Sequence, residues 1–180
     1  FTSDNGGLLG PTHNAPLRSG KGFPYEGGIR VPLIVRWPGN VKPGTTCSVP
    51  ACSIDLFPTL MEIADVALPE NRAIDGTSLV PILKQTDNLK PRDLFWHFPH
   101  YRFARGPYSI IRSGPWKLIK WYQGGDFELF NLANDLSETK DLATEMPEKV
   151  RELDAKLVAW LEACGAKVPR ANPEYKGKGK

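Results

Sequence analysis

Three histidines, three cysteines and two methionines are all that 180 residues contain of those types. The scarcity argues against a soft-metal protein. Cys47, Cys52 and Cys164 are odd in number, and no Cys or His pair has zinc-type spacing. The cysteines read instead as small buried hydrophobes or as one disulfide. Long apolar runs are missing too, so no segment reaches the roughly 20 residues that cross a bilayer. A basic start followed by an apolar stretch, the mark of a secretory leader, is also lacking. The chain opens on Phe1-Thr2-Ser3 without a Met. That start reads as a cut through the end of a strand, so the missing leader says nothing of location. Basic stripes with interleaved aromatics are missing as well, and no nucleic-acid or membrane partner is expected.

What is present is ordinary for a packed protein: 41% hydrophobic and 24% charged residues, enough for one domain or a domain plus a small subdomain. The net charge of +3 comes largely from Lys167, Arg170, Lys176, Lys178 and Lys180, and residues 166–180 read as a flexible basic tail. Residues 1–28 are rich in Gly and Pro and poor in periodicity, a length of irregular chain that is unusual unless functional. Val31 to Trp37 predicts a strand buried on both faces. Ser53 to Asp65 predicts a helix capped by Ser53, with Leu56, Leu60, Ile63 and Ala64 facing a core. Ser78 to Lys84 suits a short second helix.

Beyond Pro91 the pattern changes. Leu94–Phe98, Tyr108–Arg112, Trp116–Tyr122 and Phe127–Leu132 are short, aromatic and β-branched, parted by Ser113-Gly114-Pro115 and Gln123-Gly124-Gly125, as in an antiparallel meander. A final helix is predicted from Pro147 to Cys164. Its apolar stripe of Val150, Leu153, Leu157, Trp160 and Leu161 should pack on one face of the meander, and Gly165 should stop it.

Three stretches offer chemistry. Asp4-Asn5-Gly6-Gly7 places a carboxylate beside a carboxamide, hard oxygen donors for Ca²⁺ or Mg²⁺, although the same residues make an ordinary turn. Lys21 stands between glycines in Arg18-Ser19-Gly20-Lys21-Gly22. It is either a solvated loop lysine or a point charge for sulfate or phosphate. The spacing is not that of a P-loop. Tyr25-Glu26-Gly27-Gly28-Ile29-Arg30 suggests a close backbone approach, with Glu26 and Arg30 suited to brace the loop. Farther on, His97 and His100 sit among aromatics, either lining a sugar subsite or acting as satisfied core residues. His13 has a weaker claim of the same kind.

In order, FTSDNGG, LRSGKG, YEGGIRVPLIVRWPG, SIDLFPTLMEIA, AIDGTSLVPIL and KLI with ELFNLANDLSE resemble the C-terminal part of the type I sulfatases, arylsulfatase-like members of the alkaline-phosphatase-like superfamily. The resemblance runs to about Gly165. It implies an α/β fold: residues 1–90 as the C-terminal part of the family's α/β sandwich, and 91–165 as a small α+β subdomain of meander and helix. It implies a sulfuric ester hydrolase with Asp4 and Asn5 as ligands of an active-site Ca²⁺, ahead of Mg²⁺, and Lys21 as the sulfate-binding catalytic lysine. His97 and His100 become candidate contacts to a sulfate ester, such as a sulfated glycan.

Family members make a formylglycine nucleophile from a Cys or Ser in a C-x-P-S-R-like sequence. None of the three cysteines stands in one, so the nucleophile and the remaining ligands are expected in a missing N-terminal part, and these residues alone are expected to be inactive. A parent of this family is expected to be periplasmic, secreted or lysosomal. Alternatives are a phosphodiesterase or phosphonate monoester hydrolase of the same superfamily, and a non-catalytic glycan-binding remnant.

Overall fold

The computed structural model describes residues 1–102 and 105–170. The expected basic tail lies outside them from residue 171 onward. Contacts divide the chain into two units: residues 1–5 with 30–92, and residues 6–29 with the chain from 93 on. Residues 6–29 are thus grouped with the chain that follows the change in sequence pattern near residue 91.

The second unit contains α1 (Glu26–Ile29), β1 (Asp93–Phe98), β2 (Tyr108–Ser113), β3 (Trp116–Trp121), β4 (Phe127–Asn131) and α4 (Pro147–Ala163). The strands form one antiparallel sheet in the order β1-β2-β3-β4, and Ile110 stands opposite Ile119 and Leu118 opposite Leu129. Side chains alternate faces along a strand, and both faces of this sheet are buried. On one face Ile111, Leu118 and Leu129 meet Leu153, Leu157 and Leu161 of α4, as the helical stripe predicts. On the other, Ile110, Ile119, Trp121 and Phe130 meet Tyr25, Phe23 and Ile29 of the early loop. Double burial explains why β2 and β3 carry adjacent apolar residues rather than strict alternation. Helix α4 stops as expected: Gly165 takes φ +60, its amide reaches the Glu162 carbonyl, and the Ala166 amide reaches that of Leu161, the paired bonds of a Schellman cap.

The first unit departs further from expectation. Residues 31–37 form no strand of a ladder. The Phe1 amine and amide-bonded carbonyl exchange hydrogen bonds with Ile34 at 2.7 and 2.8 Å, with a single bridge from Thr2 to Leu33. A buried central strand needs a neighbour on each side; among the described residues only Phe1–Thr2 fills that place, and Ile34 is 61% exposed. The predicted 53–65 helix is a 3-10 turn, Ser53–Asp55, followed by α2, Leu56–Ile63. Its start is set by Asp55, whose carboxylate accepts from the Cys52 amide at 2.7 Å, and Ser53 is not the cap. Pro58 and Thr59 are the buried residues of α2, whereas Leu60 and Ile63 are exposed. Helix α3 spans Val80–Lys84, close to the expected position. The cysteines correct a further expectation: all three are free, Cys47 and Cys164 are exposed, and Cys52 is half-buried.

Candidate functional site

The loop of residues 6–29 is built from close backbone approaches that only glycine permits. A Cβ on Gly6 would stand 1.8 Å from the Gly27 carbonyl oxygen, one on Gly20 2.4 Å from that of Gly7, and one on Gly27 2.3 Å from that of Ser19. These approaches let the chain bond to itself: Gly6 N–H to Gly28 O at 2.9 Å, and Gly27 N–H to Arg18 O at 2.9 Å. Asn14 closes the same knot, its Nδ2 donating to the Gly7 and Ser19 carbonyls.

Lys21 sits in this frame with its backbone held on both sides. Its amide donates to Gly7 O at 3.0 Å, and the next carbonyl, of Gly22, accepts from the Tyr108 hydroxyl on β2 at 3.1 Å. Burial pushes the Tyr108 phenol up to about 12, so the hydroxyl stays a donor at any ordinary pH. Lys21 is half-buried, and its ammonium has no hydrogen-bond or ion-pair partner among the described residues. A positioned cation without an internal counter-charge suits an external anion.

Tyr25 anchors the loop from below. Its hydroxyl donates to Glu128 Oε2 on β4 at 2.8 Å, and Glu128 also accepts from Trp121 Nε1 at 3.3 Å and Arg105 Nη1 at 2.5 Å. Burial, then the Glu128 carboxylate, raise the Tyr25 phenol to about 12. Glu26 pairs with Lys117 of β3 at 3.0 Å, and Lys117 also pairs with Glu138 at 2.8 Å. Neither Lys117 nor Glu138 had been singled out. The short motifs that contain them, KLI and NDLSE, carry no spacing that points to a buried ion cluster.

Asp4 and Asn5 belong to the first unit. Asp4 is exposed and Asn5 half-buried. Their donor set, one carboxylate and one carboxamide oxygen, fits Ca²⁺ in kind. It falls short in number, since no group of three or more His, Cys, Asp or Glu suited to a metal occurs among the described residues. His97 proves to be a brace: Nδ1 bonds the Ser109 hydroxyl at 2.7 Å and Nε2 the Lys167 carbonyl at 3.1 Å. Both ring nitrogens are thus occupied within the chain. His100 is exposed, its ring edge-on to Phe98, and His13 accepts from the Ala15 amide at 3.1 Å. An open groove of about 600 Å³ runs between β4 and the start of α4. Lys21 does not line it, and its Arg105 and Glu128 are already paired.

A family model described as N-sulphoglucosamine sulphohydrolase, C-terminal, matches residues 19–167. The chain belongs to the sulfatase family. A sulfatase of Formosa agariphila is 41% identical over 177 residues, covering 89% of this chain and 32% of that protein. Bovine arylsulfatase A is 38% identical over 128 residues, covering 69% and 25%. The crystal structure of Ps i-CgsB superposes at TM-score 0.78 with 33% identity, over 89% of this chain and 35% of that one. The chain thus spans about a third of the length of the first of these curated relatives. Its mixed α/β architecture, with a four-stranded antiparallel sheet and a packed helix, is that of sulfatases with the alkaline-phosphatase-like fold. Among the described residues no helix is long and apolar enough to cross a membrane.

Proposed function

We propose that this chain contributes the sulfate-binding lysine and part of the metal site of a formylglycine-dependent sulfatase acting on a sulfated glycan. The observation that carries the reading is the Lys21 ammonium, held by its backbone between Gly7 and Tyr108 and left without a partner among the described residues. In sulfate-ester hydrolysis negative charge grows on the sulfuryl oxygens, and a fixed cation stabilises that charge without rearranging as it forms. Lys21 does this as a point donor.

Asp4 and Asn5 would hold Ca²⁺ together with ligands from outside these residues. When bound, the ion supplies Lewis-acid stabilisation of the same oxygens. The nucleophile also lies outside these 180 residues on this reading. The glycan part of the proposal draws on related structures, one solved with κ-ι-κ-neocarrahexaose and one, BT4656, with its substrate D-glucosamine-2-N,6-O-disulfate. Of the two histidines expected at the sugar, His100 is free to take that role through its exposed ring. The periplasmic, secreted or lysosomal setting is proposed with the rest.

A second reading has support from the phosphonate monoester hydrolase of Agrobacterium radiobacter, which superposes at TM-score 0.63 with 27% identity. A lysine does not separate sulfate from phosphate esters. The test compares turnover of aryl sulfate, aryl phosphate and phosphonate monoesters by the full polypeptide, before and after chelation and with Asp4→Ala. The proposal expects sulfate ester turnover that chelation abolishes and Asp4→Ala cuts by about 10²-fold or more. Preference for the phosphonate ester would move the assignment to the second reading. Unchanged activity in Asp4→Ala would remove Asp4 from the metal site. The 180 residues alone should show no turnover.

A further inference from the structure

Lys117, Glu26 and Glu138 are the most deeply buried ionisable side chains in the second unit, at 0%, 1% and 1% exposure. Such an arrangement seldom increases stability over apolar packing of the same volume, because each charge is taken out of water. Two carboxyl groups also share one lysine, at 3.0 and 2.8 Å. Burial holds the Glu138 carboxyl above the usual range, against the pull of Lys117 and the Glu26 amide. Stability alone therefore does not account for it.

Its geometry does suggest a use. Glu138 stands in a left-handed conformation, φ +54, which costs a non-glycine residue about 1 kcal/mol. That conformation lets one residue reach both ends of the lysine loop. Its Oε2 accepts from the Glu26 amide at 2.6 Å, and its carbonyl accepts from Arg18 Nη1 at 3.0 Å. Arg18 in turn lies 3.8 Å over the Tyr25 ring, and the Arg18 carbonyl accepts from Gly27 N–H. Residues 18 to 27 are thus a closed loop that contains Lys21, and Glu138 is bonded near both of its ends. Lys117 pins the assembly to β3, since Nζ is 3.0 Å from Glu26 and 2.8 Å from Glu138.

We infer that Glu138, fixed by Lys117 and joined to Arg18 and Glu26, is a positioning residue that sets the place of Lys21 at the sulfate. The inference rests on the reading of Lys21 as the sulfate-binding lysine. Glu138 touches neither the Lys21 ammonium nor an anion, and its effect passes through the loop.

The experiment measures binding of inorganic sulfate by the full polypeptide carrying Glu138→Gln or Arg18→Gln, each alone and combined with Lys21→Ala. Glu138→Gln keeps shape and alters the charge tie; Arg18→Gln cuts the tie near the opposite end at a half-buried position and carries the test should Glu138→Gln fail to fold. Each single variant should weaken sulfate binding about tenfold, as a small displacement of a binding group does. In the Lys21→Ala background the same changes should cost little more, since residues acting through one group are not additive. Affinity within twofold of the parent, or an equal loss with and without Lys21, overturns the inference. Sulfate affinity unchanged in Lys21→Ala alone would instead overturn the reading of Lys21, and is told apart by that single variant.

Discussion

The sheet of the second unit is covered on both faces, by Leu153, Leu157 and Leu161 on one side and by Tyr25 and its neighbours on the other. The first unit has apolar side chains in comparable supply, yet Leu60 is 63% exposed, and Phe57, Ile54, Ile63 and Val66 are also open. Both sets of residues sit at helical or strand spacing that reads as a core face. Periodicity reports which face is apolar, and burial depends on whether a partner is at hand. The second unit contains its partners within itself, one of them a loop rather than a regular element.

The contrast is sharpest at Lys117. Replacing it with Met leaves the buried carboxyl groups of Glu26 and Glu138 without their cation, and should destabilise the second unit by about 3–5 kcal/mol. Urea unfolding followed by the fluorescence of Trp116 and Trp121 reads this; a loss under about 1 kcal/mol would show that the cluster is not needed for folding. Next comes a matched pair of leucines. Leu157→Ala should cost about 2–4 kcal/mol, because it empties a fully buried site. Leu60→Ala on α2 should change stability by no more than about 0.5 kcal/mol and should raise the solubility of the 180-residue chain. Equal costs at the two positions would mean that the exposed face of α2 is buried by some partner in solution, such as a second copy.

Acid should separate the units by the smallest margin. Burial alone would raise the Asp55 carboxyl, but the two hydrogen bonds from Arg92 and those from the Cys52 and Thr77 amides hold it below the usual range. Its contribution is complete above the unfolded carboxylate value of about 4 and is lost as pH falls through the lower folded value. Glu138 has the opposite sign: burial raises its carboxyl, so its contribution is complete below the unfolded value of about 4 and fades as pH rises through the higher folded value. The Thr77 amide, bonded to Asp55 Oδ1 at 2.9 Å, should lose hydrogen-exchange protection below about pH 4, where the Glu26 amide on Glu138 keeps its own. Earlier loss at Glu26 would contradict this ordering.

Much of the second unit was legible because its signals are local. Turn residues at Ser113-Gly114-Pro115 and the stripe from Val150 to Leu161 placed four strands and a helix to within a residue or two. The Gly27-Gly28 pair correctly announced a close backbone approach. What could not be read was long-range. Nothing in the order of residues says that the loop at 6–29 covers a sheet that begins near residue 93, or that Glu138 bonds Glu26 across 112 positions. Strand propensity at Val31–Trp37 was likewise legible, but a ladder is a property of neighbours, and propensity does not supply them. The partners of His97 were equally out of reach, since Ser109 and Lys167 lie 12 and 70 residues away.

All of these elements converge on one claim, that a rigid loop presents the Lys21 ammonium to a sulfuryl group. Its most direct test is kcat/KM for an aryl sulfate with the full polypeptide and its Lys21→Ala variant, both shown to be folded and metal-loaded. The account predicts a fall of about 10²-fold or more, the scale of losing one fixed electrostatic contact to a developing oxyanion. A variant that keeps kcat/KM within about threefold would contradict it, because a fixed cation at the reacting group is worth far more than that.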